Sequence, residues 1–282
     1  MPENAFGARL DAALAARGAL CVGVDPHAAL LRAWGLPDDP SGLETFARTV
    51  VEALADRVAV LKPQSAFFER FGSRGIAVLE TVIAEARAAG ALVLLDVKRG
   101  DIGSTAQAYA DAYLDPSSPL AVDAVTASPY LGFGSLRPMI DTALAYDRGV
   151  FVLALTSNPE GPSVQHAVAP DGRTVAQAVL DEVAAVNAGA TPLGSVGVVV
   201  GATVTGGPGH DLAKVNGPLL APGLGAQGGT PADLARVFGS ALGWVLPSYS
   251  REILQNGPDV AALRDAADTV RRHCASALGR PA

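Results

Sequence analysis

Short apolar runs alternate with longer amphipathic segments along the whole chain. The apolar runs are rich in Val, Leu and Ala and carry apolar residues on both faces, which is typical of strands buried in a parallel sheet. The segments between them repeat apolar residues at helical spacing. This pattern predicts strands, most of them followed by a helical segment, over residues 20–24, 58–61, 92–95, 121–126, 149–155, 195–200, 218–221 and 244–246.

The regular alternation of strands and helices indicates one α/β domain over residues 1–282, since no linker or change of composition interrupts it. An open sheet of this size more often splits or carries a second domain. A (β/α)8 TIM barrel with right-handed crossovers accommodates every predicted strand. We therefore predict a single-domain TIM barrel.

Composition narrows the possible functions. The 282 residues are 49% hydrophobic and 17% charged, and the formal net charge of −7 argues against a broad nucleic-acid-binding surface. Cys21 and Cys274 lie far apart and without metal-ligand spacing, so we predict two buried thiols in a reducing compartment. No apolar run reaches the roughly 18 residues that a membrane span needs. We expect a soluble, cytoplasmic protein that contacts neither nucleic acid nor membrane.

Polar side chains follow the predicted strands, at the points where the apolar runs end. In a TIM barrel these strand ends and the loops after them form the functional face. The candidates on that face are Asp25, Lys62, Asp96, Lys98, Asp101, Ser128, Ser157, Gln227 and Arg251.

The densest group of charges follows the apolar run 92–95. Asp96 and Lys98 are two residues apart, and on extended chain this spacing places both side chains on one face. Residues 104–107, Ser-Thr-Ala-Gln, have the form of a capping box, which predicts a loop over 99–103 and a helix after it. A generic D-x-K-x-x-D pattern is more often a set of solvated surface ion pairs, and only its place at a strand end favours a catalytic interpretation.

The chemistry of this group favours decarboxylation. Two carboxylates, Asp96 and Asp101, flank Lys98 and would keep its amine protonated, so that it could donate a proton to a substrate carbon. The same carboxylates would crowd an anionic substrate group. Such a site favours a transition state in which that group leaves as neutral carbon dioxide.

A glycine-rich segment, residues 223–228, matches the pattern G-x-G-x-x-G. It follows the seventh predicted strand, and no Asp or Glu lies between Ala235 and Glu252 to bind a ribose, so we reject a dinucleotide site. We favour a phosphate site in which backbone N–H groups converge on an anion and Arg251 adds a bidentate partner. A purely structural glycine turn is the alternative.

Two further groups receive no catalytic role. The histidines have no metal-ligand spacing, and we expect solvated or core-edge positions for His27, His166, His210 and His273. The aromatic residues Phe67, Phe68 and Phe71 are predicted to serve packing.

Residues 96–105, with the sequence DVKRGDIGST, closely resemble the orotidine 5′-phosphate decarboxylase family. Further elements resemble that family in the same order: GVDP at 23–26, LKPQ at 61–64, TSNP at 156–159, APGLGAQGG at 221–229 and SR at 250–251. The long loops resemble the longer bacterial branch found in actinobacteria. The resemblance implies conversion of orotidine 5′-monophosphate to uridine 5′-monophosphate, the last step of pyrimidine nucleotide biosynthesis, without a metal or organic cofactor.

The resemblance also implies roles for single residues. Lys98 would protonate C6 of the pyrimidine and Asp96 would lie against the departing carboxylate, while Lys62 and Asp25 would contact the ribose and orient the charges. Asp101 and Thr105 would reach into the neighbouring subunit of a homodimer with shared active sites. The implied catalytic residues are Lys98, Asp96, Lys62 and Asp101. The implied substrate-binding residues are Asp25, Thr105, Ser157, Pro222, Gln227, Gly228 and Arg251. Among these, Ser157 would contact the pyrimidine, and Gln227, Gly228 and Arg251 would contact the phosphate.

Two alternatives stay open. The related sugar-phosphate branch, the 3-keto-gulonate 6-phosphate decarboxylases and hexulose-phosphate synthases, shares the D-x-K core but uses magnesium held by a glutamate at the end of the second strand. Here that position is Lys62, which argues against a metal. The other alternative is a barrel that binds a phosphate ligand without activity.

Overall fold

The structure is a computed structural model, and it describes residues 4–204 and 210–280. In this part of the chain parallel strands form a closed barrel in chain order, and the last strand pairs with the first. The strands are β1 Cys21–Val24, β2 Val60–Pro63, β3 Leu92–Arg99, β4 Ala124–Ala127, β5 Gly149–Leu155, β6 Val196–Val200, β7 Leu219–Ala221 and β8 Val245–Tyr249. The predicted TIM barrel is confirmed.

Helices surround the barrel and cover its wall. They are α1 Phe6–Arg17, α2 Ala28–Ala33, α3 Pro40–Leu54, α4 Ser65–Glu69, α5 Gly72–Ala88, α6 Gly103–Leu114, α7 Arg137–Ala145, α8 Pro162–Gln165, α9 Val175–Val186, α10 Pro231–Phe238, α11 Arg251–Leu254 and α12 Val260–Leu278. Short 3-10 helices cover Phe133–Leu136, Leu212–Val215, Gly225–Gln227 and Gly239–Trp244. None of the described helices is both long and apolar enough to cross a membrane.

The helix positions follow from local sequence. α3 begins where the Asp39 carboxylate accepts hydrogen bonds from the backbone N–H groups of Ser41 and Gly42, at 2.8 and 3.0 Å, and Pro40 fits the first turn. Its apolar stripe, which includes Leu43 and Phe46, is buried against the barrel.

The aromatic residues after β2 pack against the core. Phe68 is fully buried, and Phe67 and Phe71 are partly buried, so the predicted packing role of these three residues is confirmed.

Several predicted boundaries were wrong. The capping box at 104–107 does not form, because α6 begins one residue earlier at Gly103 and Ile102 occupies the N-cap position without a side-chain cap. The turn before the helix is instead held by Asp101, whose Oδ1 accepts a hydrogen bond from the Ile102 N–H at 2.7 Å. β8 continues through Pro247 to Tyr249, beyond the predicted end at 246. The predicted glycine-rich loop at 201–209 lies partly outside the described residues, because 205–209 are not described.

A buried ion-pair cluster closes the amino-terminal end of the barrel around Asp123, which is 2% exposed. Its Oδ1 lies 2.7 Å from Arg9 Nη1 and 3.0 Å from Arg148 Nη1, and its Oδ2 accepts a hydrogen bond from the Val93 N–H at 3.0 Å. Burial raises the free energy of an unpaired charge steeply, so each partner depends on the others. The cluster thereby joins α1, β3 and the start of β5, far from the strand ends that carry the site.

We predict that Asp123→Asn destabilises the protein by about 3–5 kcal/mol, since it leaves the buried Arg148 guanidinium and the partly buried Arg9 guanidinium without a carboxylate. Urea unfolding followed by circular dichroism measures the loss. The matched control is Asp141→Asn, which breaks the exposed helical pair with Arg137 at 2.7 Å, and we expect it to change stability by less than about 0.5 kcal/mol. Equal effects of the two substitutions would contradict the assigned role of the cluster.

Candidate active site

A cavity of about 270 Å³ opens at the carboxyl ends of the strands. Its wall contains polar side chains from the ends of β1, β2, β3, β4, β5, β7 and β8. Eight of the predicted site residues line it: Asp25, Lys62, Asp96, Lys98, Ser157, Pro222, Gln227 and Arg251. Asp101, Thr105, Gly228 and the strand-end candidate Ser128 do not.

Three alternating charges stand at the centre of this cavity. Asp96 Oδ2 lies 3.0 Å from Lys62 Nζ, and Asp96 Oδ1 lies 2.6 Å from Lys98 Nζ. Asp96 and Lys62 are each 6% exposed, whereas the side chain of Lys98 is 45% exposed and reaches into the cavity. One carboxylate therefore bridges a buried ammonium and an accessible one.

Two neutral side chains complete the contacts of Asp96. The Thr126 hydroxyl at the end of β4 donates to Asp96 Oδ1 at 2.8 Å, and the Gln64 amide after β2 donates to Asp96 Oδ2 at 3.2 Å. Neither residue was predicted as part of the site. Both residues lie at strand ends, as the predicted site residues do, and Gln64 is two residues after Lys62. Their position could have identified them, but neither side chain is charged.

The backbone at Lys98 departs from a regular strand. Its φ of +43° is in the left-handed region, and the pairing of β3 with β4 shifts register between Leu95 and Arg99. The Lys98 N–H donates to the Thr126 hydroxyl at 2.9 Å, which holds this conformation. The prediction that the Asp96 and Lys98 side chains share a face is confirmed, since both line the cavity and contact each other. The predicted extended chain is wrong at Lys98, where a bulge changes the backbone.

Mutual electrostatic attraction keeps Asp96 and Lys62 charged at neutral pH. Burial opposes ionisation of Asp96, but the ammonium groups of Lys62 and Lys98 outweigh it and hold the pKa of the carboxyl far below its usual range. Burial likewise opposes the charge of Lys62, and Asp96 and Asp25 overcome it and raise the pKa of that amine above its usual value. Beneath them, burial raises the pKa of the Cys21 thiol to about 12. Both cysteines are buried and free, as predicted.

Unpaired acceptors and hydroxyls lie beside the charges. Asp25 Oδ1 and Ser250 Oγ are buried and have no hydrogen-bond partner among the described residues. The backbone of Gly23 leaves them room, because a Cβ there would lie 2.9 Å from Asp25 Oδ2 and from Ser250 Cβ. Such orphaned polar groups at a cavity wall are suited to the hydroxyls of a ligand.

The glycine segment forms a compact turn rather than an open cradle. The N–H groups of Gly225, Gly228 and Gly229 donate to carbonyls within the segment, at 2.8 to 2.9 Å. The prediction that glycine N–H groups converge on an anion was therefore wrong for these three residues. The side chains of Gln227 and Arg251, which carry hydrogen-bond donors, line the cavity beside this turn.

The long loop after β5 folds back onto the strand end. Gln165 in α8 accepts a hydrogen bond from the Thr156 N–H at 2.9 Å and donates to the Thr156 hydroxyl at 2.6 Å. Ser157 follows directly and lines the cavity. His27 also lines the cavity, where its ring packs 4.3 Å from that of Phe67, so this core-edge histidine faces the site.

Asp101 and Thr105 lie outside the cavity, on the loop and the first turn that follow β3. Three apolar side chains, Ile102, Tyr130 and Leu131, are exposed in the same loop and in the loop after β4, and Tyr130 is 81% exposed. We call these three residues the apolar patch.

The comparison with protein families supports one assignment. The model described as "Orotidine 5'-phosphate decarboxylase / HUMPS family" matches residues 18–266. The chain belongs to this family. Within the described residues no group of three or more His, Cys, Asp or Glu side chains could hold a metal ion.

Relatives of this family match nearly the whole chain. An orotidine 5′-phosphate decarboxylase of Salinispora arenicola is 71% identical over 98% of this chain and 99% of its own. A crystal structure from Streptomyces avermitilis, provisionally described as that enzyme, has a TM-score of 0.95 at 62% identity and covers 98% of this chain and 96% of its own. The OMP decarboxylase of Leishmania donovani has a TM-score of 0.76 at 31% identity, over 98% and 99% of the two chains.

The buried thiol makes stability depend on pH in a predictable direction. Since the folded-state pKa of Cys21 is raised to about 12, its contribution is fully present below the unfolded pKa of about 8.5 and is lost as the pH rises toward 12. We predict that the stability gap between the wild type and Cys21→Ala narrows by about 1.5 kcal/mol between pH 8.5 and pH 10. Urea unfolding at each pH measures the gap. Val22→Ala is the control, and its gap should stay constant; a constant gap for Cys21→Ala would refute the assignment.

Proposed function

We propose that this chain decarboxylates orotidine 5′-monophosphate to uridine 5′-monophosphate, the last step of pyrimidine nucleotide synthesis, without a metal or organic cofactor. The observation that carries the proposal is the Lys62–Asp96–Lys98 array in the cavity of a chain that belongs to this family. The names of its relatives, which match nearly full length, support the substrate.

The Lys62–Asp96–Lys98 array suits a reaction in which negative charge leaves the substrate carboxylate and develops on the C6 carbon. A substrate carboxylate on C6 placed beside Asp96 is repelled, and the repulsion ends when the C6–carboxylate bond breaks and neutral carbon dioxide departs. The electron pair remains on C6, where the Lys98 ammonium stabilises it and then donates its proton. Lys98 regains a proton from solvent. Charges fixed in advance stabilise such a transition state without reorganisation.

The other cavity residues are assigned to binding. Asp25, with its unpaired buried oxygen, accepts from the ribose hydroxyls, and Lys62 lies beside it. Ser157 and Pro222 contact the pyrimidine. Gln227 and Arg251, together with the turn at Gly228, bind the 5′-phosphate, for which a guanidinium is a bidentate partner.

We propose further that the enzyme is a cytoplasmic homodimer whose chains are single domains and share active sites. Asp101 and Thr105 are outside the cavity of their own chain, only a few residues from Lys98. The apolar patch beside them gives that side of the barrel a surface suited to burial against a second copy. Asp101 and Thr105 would then complete the partner's site.

Turnover of the proposed substrate tests the function directly. We expect purified protein to consume orotidine 5′-monophosphate in the presence of a metal chelator, followed as the loss of its ultraviolet absorbance. Activity on a keto-sugar phosphate that requires magnesium would favour the other branch of the family. Binding without turnover of either substrate would favour a ligand-binding barrel.

Mixed dimers test the shared site. Alone, Lys98→Ala and Asp101→Ala should each lose nearly all activity, whereas Lys214→Ala, which removes an exposed lysine outside the cavity, should retain it. After subunit exchange, random pairing gives one intact site in half of the dimers, so we expect about a quarter of wild-type activity to return. No recovery despite exchange shown by native mass spectrometry would refute the shared site.

A further inference from the structure

Tyr249 contributes to the cavity wall, but its ring points away from the cavity, and the proposed mechanism gives it no part. It is the last residue of β8, is 4% exposed and lies two residues before Arg251. The preceding Ser248 lines the cavity and lies near Cys21 inside the barrel, and side chains alternate along a strand. The Tyr249 ring is therefore on the outer side of the wall, between β8 and the helices.

The Tyr249 side chain contacts two elements. Its hydroxyl interacts with the thiol of Cys274 in α12, and burial together with this neighbour raises the pKa of the phenol above its usual value. One edge of the ring lies against Gly225, since a Cβ at Gly225 would be 3.1 Å from Tyr249 Cδ1 and 3.2 Å from Cε1, and 3.0 Å from Glu252 Cβ. A side chain at Gly225 would therefore press on both the ring and Glu252.

Gly225 is joined by hydrogen bonds to the rest of the glycine segment. Its N–H donates to the Gly229 carbonyl and its carbonyl accepts from the Gly228 N–H, both at 2.8 Å. Gln227 lies inside this hydrogen-bonded turn. The ring therefore connects the strand that leads into Arg251 with the turn that carries Gln227, the two elements assigned to the phosphate.

We propose that Tyr249 is a positioning residue that holds the glycine turn 223–229 in register with Arg251 and so sets affinity for the phosphate end of the ligand. This inference rests on the proposed function, which assigns the phosphate to Gln227 and Arg251. Tyr249 acts through the turn, and the ring rather than the hydroxyl provides the supporting surface.

The experiment compares ligands with and without the phosphate. Binding of uridine 5′-monophosphate and of uridine is measured by calorimetry for the wild type, Tyr249→Ala and Tyr249→Phe, together with KM and kcat for orotidine 5′-monophosphate. We expect Tyr249→Ala to weaken nucleotide binding about tenfold or more, to leave uridine within about twofold, and to raise KM more than it lowers kcat. Tyr249→Phe keeps the ring and should restore nucleotide affinity to within about threefold.

A second variant approaches the contact from the turn. Gly225→Ala places a methyl group against the ring at a residue whose φ of +66° strains any side chain, so it is compared with Tyr249→Leu, which removes the ring without changing the turn. We expect the same selective loss of nucleotide affinity from both, and Tyr249→Leu decides the matter if Tyr249→Ala does not fold. Tyr113→Ala, at another buried tyrosine in α6, is the control: it should lower thermal stability without a selective loss.

The outcomes separate this inference from the proposed function. A wild type that does not consume orotidine 5′-monophosphate overturns the proposed function. A wild type that consumes it, with variants at 225 and 249 that weaken nucleotide and nucleoside equally or leave both unchanged, overturns only the role of Tyr249.

Discussion

The candidate site depends on one buried carboxylate held between two ammonium groups. Asp96 is 6% exposed, and a charge removed from water to that extent persists only with close opposite charges and hydrogen bonds. Lys62, Lys98, Thr126 and Gln64 supply them. These partners come from the ends of three successive strands, so the arrangement exists only when the barrel is closed in its observed register.

Much of the fold and of the site could be predicted from sequence, because a parallel barrel collects the residues at its strand ends on one face. That rule predicts Asp25, Lys62 and Asp96 as site residues from the sequence alone. It could not identify Thr126 and Gln64 as partners of Asp96, because their contacts depend on the register between strands. A register is a property of pairing over long sequence distances, and no local pattern specifies it.

The wrong predictions have a common cause, which is that local patterns do not state backbone conformation. The spacing of Asp96 and Lys98 predicted extended chain, but the lysine adopts a φ of +43° beside a register shift. The glycines at 223–229 predicted free backbone N–H groups, but three of these groups donate hydrogen bonds to carbonyls within the turn.

We propose that the charge of Asp96 acts on the carboxylate that leaves rather than on the product that remains. Asp96→Asn keeps the shape of the side chain and removes its charge, and uridine 5′-monophosphate lacks the carboxylate that Asp96 would face. We expect the substitution to lower kcat/KM for orotidine 5′-monophosphate by about a thousandfold or more, roughly 4 kcal/mol of transition-state stabilisation, while the affinity for uridine 5′-monophosphate changes by less than about threefold. Equal losses of turnover and product affinity, or no loss of turnover, would contradict the account.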